Sequence, residues 1–181
     1  GDALLTEAFG LLATCTAPPA AIVEVVAAMA RAAGAAGMVG GQVIDIEATG
    51  KKIDLELLRR LHRKKTGALL AISVWAGARL GGAVPGSDAL TRLGTFADAL
   101  GLAFQIIDDI LDVTQDLATL GKDPGSDKKK GKTTYVDVLG IDAARRHAEQ
   151  VMGEGLAALA PLDASAEPLH ALARYTIHRV N

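Results

Sequence analysis

Cysteine, aromatic residues and net charge are all scarce in this chain, and each scarcity removes a class of explanation. The single Cys15 excludes an internal disulfide and any cysteine-rich metal site. A net charge of −2 gives no support to nucleic-acid binding. No charge-free apolar run reaches the roughly 18 residues of a membrane span, and the opening GDALLTEAFG lacks the basic start of a signal peptide. Strand alternation, long heptad runs and internal repeats are also missing. What remains is a chain of 181 residues, half of them hydrophobic and only 3% aromatic, dominated by alanine and leucine. That mix favours helices packed closely through small side chains. The expectation is a soluble, cytoplasmic, all-α protein with one real core. The chain opens on Gly1 directly into a helical pattern, which suggests a fragment or a processed product.

Apolar residues recur at helical spacing along most of the chain. Residues 2–16 predict a short helix with Asp2 as its cap. Pro18 and Pro19 mark a break and the first turn of a second, very apolar helix over 20–33. Residues 37–47 hold Gly37, Gly40 and Gly41, each disfavouring a helix by about 1 kcal/mol relative to alanine. Their use would be close approach of a backbone or a ligand. Gln42 and Asp45 share a face there, at the edge of a helix crossing or facing a substrate. Residues 54–63 form an amphipathic helix capped by Asp54. Next come Arg63, Lys64, Lys65 and Thr66, at the mouth of a hydrophobic helix over 67–80. They are surface charges or a phosphate site at a helix N-terminus. Ser87 or Asp88 caps a long helix, and shorter helices are expected at 133–139, 143–160 and 168–180.

The long helix carries GLAFQIIDDILD over 101–112. Asp108 and Asp112 are four apart and stack on one face, with Gln105 a turn earlier. Like charges at that spacing repel, and carboxylates in an apolar helix are costly without a positive partner. Mg²⁺ suits them, because it takes one or two carboxylates and completes its shell with water and phosphate oxygens. On spacing alone, an acidic helix end facing water remains open. Residues 121–132, GKDPGSDKKKGK, form a basic loop immediately downstream. An acidic helix face followed by lysines is the pairing a metal–diphosphate ligand needs. Lys122 and Lys132, each beside a glycine, read as ligands, and Lys128, Lys129 and Lys130 as solvated surface.

With GDALLTEAF, GMVGGQVID, LHRKKTGALL, GLAFQIIDDILD, LGKDPGSDKKKGKTTY and YTIHRVN in this order, the chain resembles the trans-isoprenyl diphosphate synthases, or polyprenyl synthetases, along its whole length. The resemblance implies an isoprenoid synthase-type all-α helical bundle, with residues 1–181 as the C-terminal portion of a single domain. It implies that Asp108, Asp109 and Asp112, supported by Asp127, bind Mg²⁺ (Mn²⁺ as an alternative) that clamps an allylic diphosphate. Lys65 and Lys122 match lysines contacting that diphosphate, and Thr66 and Gln105 match positions near the reacting carbons. Gln42, Asp45, Phe104 and Lys132 match substrate-binding positions. The reaction implied is ionisation of the allylic diphosphate, attack by the double bond of isopentenyl diphosphate, and loss of a proton. Overall likeness implies farnesyl diphosphate as product and a homodimer as the assembly.

One departure matters. The family's first aspartate-rich motif, its following arginine pair and its isopentenyl diphosphate-binding residues lie before GDALLTEAF, and no second DDxxD occurs in this sequence. The chain is therefore expected to lack the N-terminal helices, to need the missing segment or a partner chain, and to be inactive alone. A terpene cyclase of the same fold and a non-catalytic subunit are the rival readings. DDxxD and the lysine loop favour chain elongation over cyclisation. Gly125, Gly131, Lys132 and Thr133 approach a P-loop, but five residues separate the glycines where that motif has four, and no apolar strand precedes them.

Overall fold

The computed structural model describes residues 1–114, 131–162 and 164–179, and among these residues every regular element is helical. Helices α1 (Asp2–Thr14), α2 (Pro19–Ala33) and α3 (Met38–Ala48) come first. Helices α4 (Leu55–His62) and α5 (Ala68–Leu80) follow, joined by a π-helical turn at Arg63–Gly67. The long helix α6 (Asp88–Thr114) leads to α7 (Tyr135–Leu139), α8 (Ile141–Leu159) and α9 (Glu167–His178).

Helix α6 is the axis of the fold. Its 27 residues extend about 40 Å, and Phe96, Ala103, Ile106 and Ile110 are fully enclosed. Each large apolar side chain so buried contributes roughly 1.5–3 kcal/mol relative to exposure. Leu58, Tyr135, Ala144, Ala148, Met152, Leu159 and Ala173 complete this core from α4, α7, α8 and α9. Arg79 at the end of α5 is buried, but Glu24 on α2 takes its guanidinium at 2.6 Å and the Ala83 carbonyl accepts a further bond. A buried charge tolerates that position only when paired in this way.

Two sequence expectations are corrected here. The glycines of 37–47 do not break a helix, because α3 includes Gly40 and Gly41. A Cβ on Gly41 would lie 2.3 Å from the Lys65 nitrogen, so the glycine is where two backbones meet. Nor do Arg63, Lys64, Lys65 and Thr66 open a helix. The backbone is helical without interruption from α4 through the π turn into α5, which leaves no helix N-terminus there to bind an anion.

The stretch Pro19–Ala48 is long and apolar enough, by length and composition, to cross a membrane. In the structure a turn at 34–37 divides it into helices of 15 and 11 residues, each short of the roughly 20 a span needs. Leu4 and Leu11 on α1, Val23 on α2, and Val39, Val43 and Ile46 on α3 are exposed, and α2 buries only Ala21, Val25 and Ala33, against the expectation that 20–33 is buried on most sides.

Candidate functional site

Two lysines from distant parts of the chain meet at one carboxylate. Lys65 Nζ in the π turn donates to Asp45 Oδ2 at 2.7 Å, and Lys132 Nζ donates to the same oxygen at 2.8 Å. Burial pushes the Asp45 carboxyl up, but the hydrogen bonds from Lys132 and Lys65 and their two positive charges outweigh it, and the group sits below its ordinary range. Lys132 is held from both sides. Gly50 N–H donates to the Gly131 carbonyl at 2.9 Å, and Thr133 Oγ1 donates to the Lys51 carbonyl at 3.2 Å. Neighbouring Lys64 turns the other way, to the Ala36 carbonyl at 2.8 Å.

The next residue of the π turn begins a polar relay along α6. Thr66 Oγ1 donates to Gln105 Oε1 at 3.1 Å, and Gln105 Nε2 donates to Asp109 Oδ1 at 3.0 Å. Asp109 Oδ2 accepts from the Tyr135 backbone N–H at 2.7 Å, at the start of α7. Close packing makes the relay possible, since a Cβ on Gly101 would lie 2.9 Å from the Gly67 Cα. His62 lies beneath, stacked on the Tyr135 ring at 5.7 Å. Burial, then the charge of Lys65, holds its imidazole down at about 4, so it is neutral near pH 7.

The three motif aspartates differ sharply. Asp108 is open, with its side chain 44% exposed, and Arg179 approaches its Oδ1 at 3.4 Å. Arg179 also stacks 3.9 Å over the Phe104 ring and donates to the Phe104 carbonyl at 3.1 Å. Asp109 and Asp112 are buried, and neither lacks a polar partner. The half-exposed Asp108 carboxylate fits a hard cation that keeps most of its shell as water and phosphate oxygens. Both Asp109 oxygens accept hydrogen bonds within the protein. No group of three His, Cys, Asp or Glu able to hold a metal occurs among the described residues, so a closed protein cage is not formed there.

Of the residues singled out from sequence, Asp45, Lys65 and Lys132 are brought together, as are Thr66, Gln105 and Asp109, while Phe104 and Asp108 share Arg179. Gln42 is exposed on α3. Lys122 and Asp127 lie outside the described residues. Sequence reasoning missed Arg179 and the Tyr135 N–H, for which only the order of the terminal motifs gave a signal. Of the sequence candidates only Arg63 lines either of two open grooves of about 930 and 830 Å³, so charge convergence, not groove size, locates the site.

Fold and site together define an isoprenyl diphosphate synthase-type helical protein. A solved geranyltransferase from Helicobacter pylori, complexed with magnesium and isoprenyl diphosphate, superposes with a TM-score of 0.81 at 31% identity, over 97% of this chain and 57% of that one. The chain belongs to the polyprenyl synthetase family, whose model matches residues 1–163. Farnesyl diphosphate synthase of Escherichia coli (strain K12) is 43% identical over 185 residues, covering 99% of this chain and 62% of that protein. The chloroplastic geranylgeranyl pyrophosphate synthase of Catharanthus roseus is 44% identical over 185 residues, covering all of this chain and 51% of that protein. The chain thus spans 62% and 51% of the length of these two relatives.

Proposed function

We propose that this chain forms the diphosphate-gripping part of a prenyltransferase, condensing isopentenyl diphosphate with dimethylallyl or geranyl diphosphate. The observation that carries the reading is the lysine pair on Asp45, one residue along the π turn from Thr66, whose relay runs into the acidic face of α6. Lys65 and Lys132 supply the positive charge that grips the leaving diphosphate. Thr66 and Gln105 present their polar atoms to the reacting end of the substrate. Asp108 is the carboxylate placed to hold Mg²⁺, and Mn²⁺ is the proposed alternative ion. When bound, the ion neutralises charge that develops on the diphosphate as the allylic C–O bond breaks. Farnesyl diphosphate is the proposed product, on likeness to the Escherichia coli enzyme. Near-equal identity to a geranylgeranyl enzyme makes product length the quantity to measure. The exposed apolar side chains of α1, α2 and α3 support a covering by further helices or a second copy, with a homodimer proposed.

The test is prenyl transfer with radiolabelled isopentenyl diphosphate and geranyl diphosphate, alongside calorimetric titration of Mg²⁺ with inorganic pyrophosphate. The 181-residue chain is expected to bind pyrophosphate only with Mg²⁺ and to show no turnover alone. Turnover by this chain alone overturns the proposed inactivity. No metal-dependent binding favours the non-catalytic subunit, and cyclised products from farnesyl diphosphate favour the cyclase.

A further inference from the structure

We infer that Asp45 is a positioning residue, which holds Lys65 and Lys132 at the spacing a diphosphate requires and does not itself contact substrate. The inference rests on the diphosphate reading above. Both ammonium groups bond one oxygen, at 2.7 and 2.8 Å. Their nitrogens therefore lie within about 5.5 Å of each other, a distance at which two positive charges repel unless a negative one stands between them. Such a separation lets two cations reach neighbouring oxygens of one diphosphate. Without the carboxylate, two long flexible side chains from separate elements would have to be gathered by the ligand itself, at an entropic cost to binding.

Exposure assigns the roles. The Lys65 and Lys132 side chains are 34% and 28% exposed, and that of Asp45 is 17% exposed. An anion arriving from solvent meets ammonium before carboxylate. An ammonium group carries three N–H donors, and the Lys65 bond to Asp45 uses one of them. The backbone under all three is fixed. Gly41 brings α3 against the Lys65 backbone, and the Gly50 and Lys51 bonds hold the segment that carries Lys132.

A carboxylate this close to an anion site also repels the anion, so the two effects oppose each other and the experiment decides between them. Binding of inorganic pyrophosphate in the presence of Mg²⁺ is measured by calorimetry on the full chain. The set comprises the unmodified protein, Asp45→Ala, Asp45→Glu, the double variant K65A/K132A, and Asp45→Ala added to that double variant. Positioning predicts a loss of about tenfold or more for Asp45→Ala and partial recovery for Asp45→Glu. It also predicts a difference within about twofold when Asp45→Ala is added to the lysine-free background, because coupled residues are not additive. A purely structural role would cost the same in both backgrounds, and that result overturns the inference. Equal or tighter binding by Asp45→Ala overturns it too. Should Asp45→Ala fail to fold on thermal melting, Asp45→Asn is used in both backgrounds under the same criteria. If K65A/K132A binds as tightly as the unmodified chain, or the unmodified chain does not bind, the diphosphate reading itself falls and the inference with it.

Discussion

The Tyr135 backbone N–H donates to Asp109 Oδ2 at 2.7 Å and ties the start of α7 to the C-terminal part of α6. Asp109 is 2% exposed, and its other oxygen accepts from Gln105. Hydrogen bonds to a charged acceptor are each worth about 1.5–3 kcal/mol, and their loss strands the buried donors. Asp109→Ala is therefore expected to destabilise the protein by roughly 3 kcal/mol or more. Asp109→Asn, which keeps an acceptor for Tyr135, should cost less. Thermal unfolding checks both, and an unchanged melting temperature for Asp109→Ala would contradict the anchoring role.

Arg179 covers the ring of Phe104 and faces Asp108 across 71 residues of sequence. Its side chain is only 9% exposed, so its charge is neutralised by contact more than by water. Arg179→Ala should cost about 1–2 kcal/mol in urea unfolding, from the lost stacking and the lost bond to the Phe104 carbonyl. Arg179→Lys should recover less than half of that, since a single ammonium cannot stack and fork at once. Full recovery by lysine would show that charge alone matters here.

His62 makes stability depend on pH. Its imidazole is held at about 4 in the folded protein, against an ordinary 6.5. The unfolded chain takes up the proton first as pH falls, so stability is lost from about pH 6.5 down to about 4, by roughly 3 kcal/mol in total. Asp45 is lowered too, but from an ordinary 3.8, so its contribution fades only as pH falls below about 3.8. The two windows barely overlap. Denaturant unfolding at a series of pH values should show the upper slope, and His62→Phe should flatten it. A slope that survives His62→Phe belongs to another group.

Glycine substitutions should have opposite signs at two helical positions. Gly94 lies inside α6 with nothing within 4 Å of an added Cβ, so Gly94→Ala should stabilise by about 0.5–1 kcal/mol. Gly41→Ala would drive a methyl to 2.3 Å from the Lys65 nitrogen and 2.5 Å from its Cα. It should destabilise and also loosen the lysine pair. Melting temperatures that move in the same direction for both would refute the packing account.

The helical class and most helix bounds are legible from apolar spacing, with differences of up to two residues at the ends. The α3 helix is not legible, because propensity counts glycines against a helix while tertiary contact requires one of them. Asp45, Lys65 and Lys132 are recognisable as chemistry-bearing residues. Their convergence is not recognisable, since Asp45 and Lys132 are 87 positions apart. The spacing of Asp108 and Asp112 suggests that they share a role. Burial separates them instead, leaving Asp108 open and enclosing Asp112. Gln105 pairs with Asp109, four residues on, a choice that depends on how α6 is rotated in the bundle.

The π turn at Arg63–Gly67 sets the angular phase between the two helical stretches it joins. One residue fewer would let α4 run into α5 as ordinary α-helix, turning everything on one side of the join by about 100°. Lys65 and Thr66 would then swing off the bearings on which Asp45 and Gln105 wait for them. Length at this join is thus under a constraint that composition is not. A substitution library across 63–67 should contain many folded members, and a library of single deletions there almost none that keep Lys65 on Asp45.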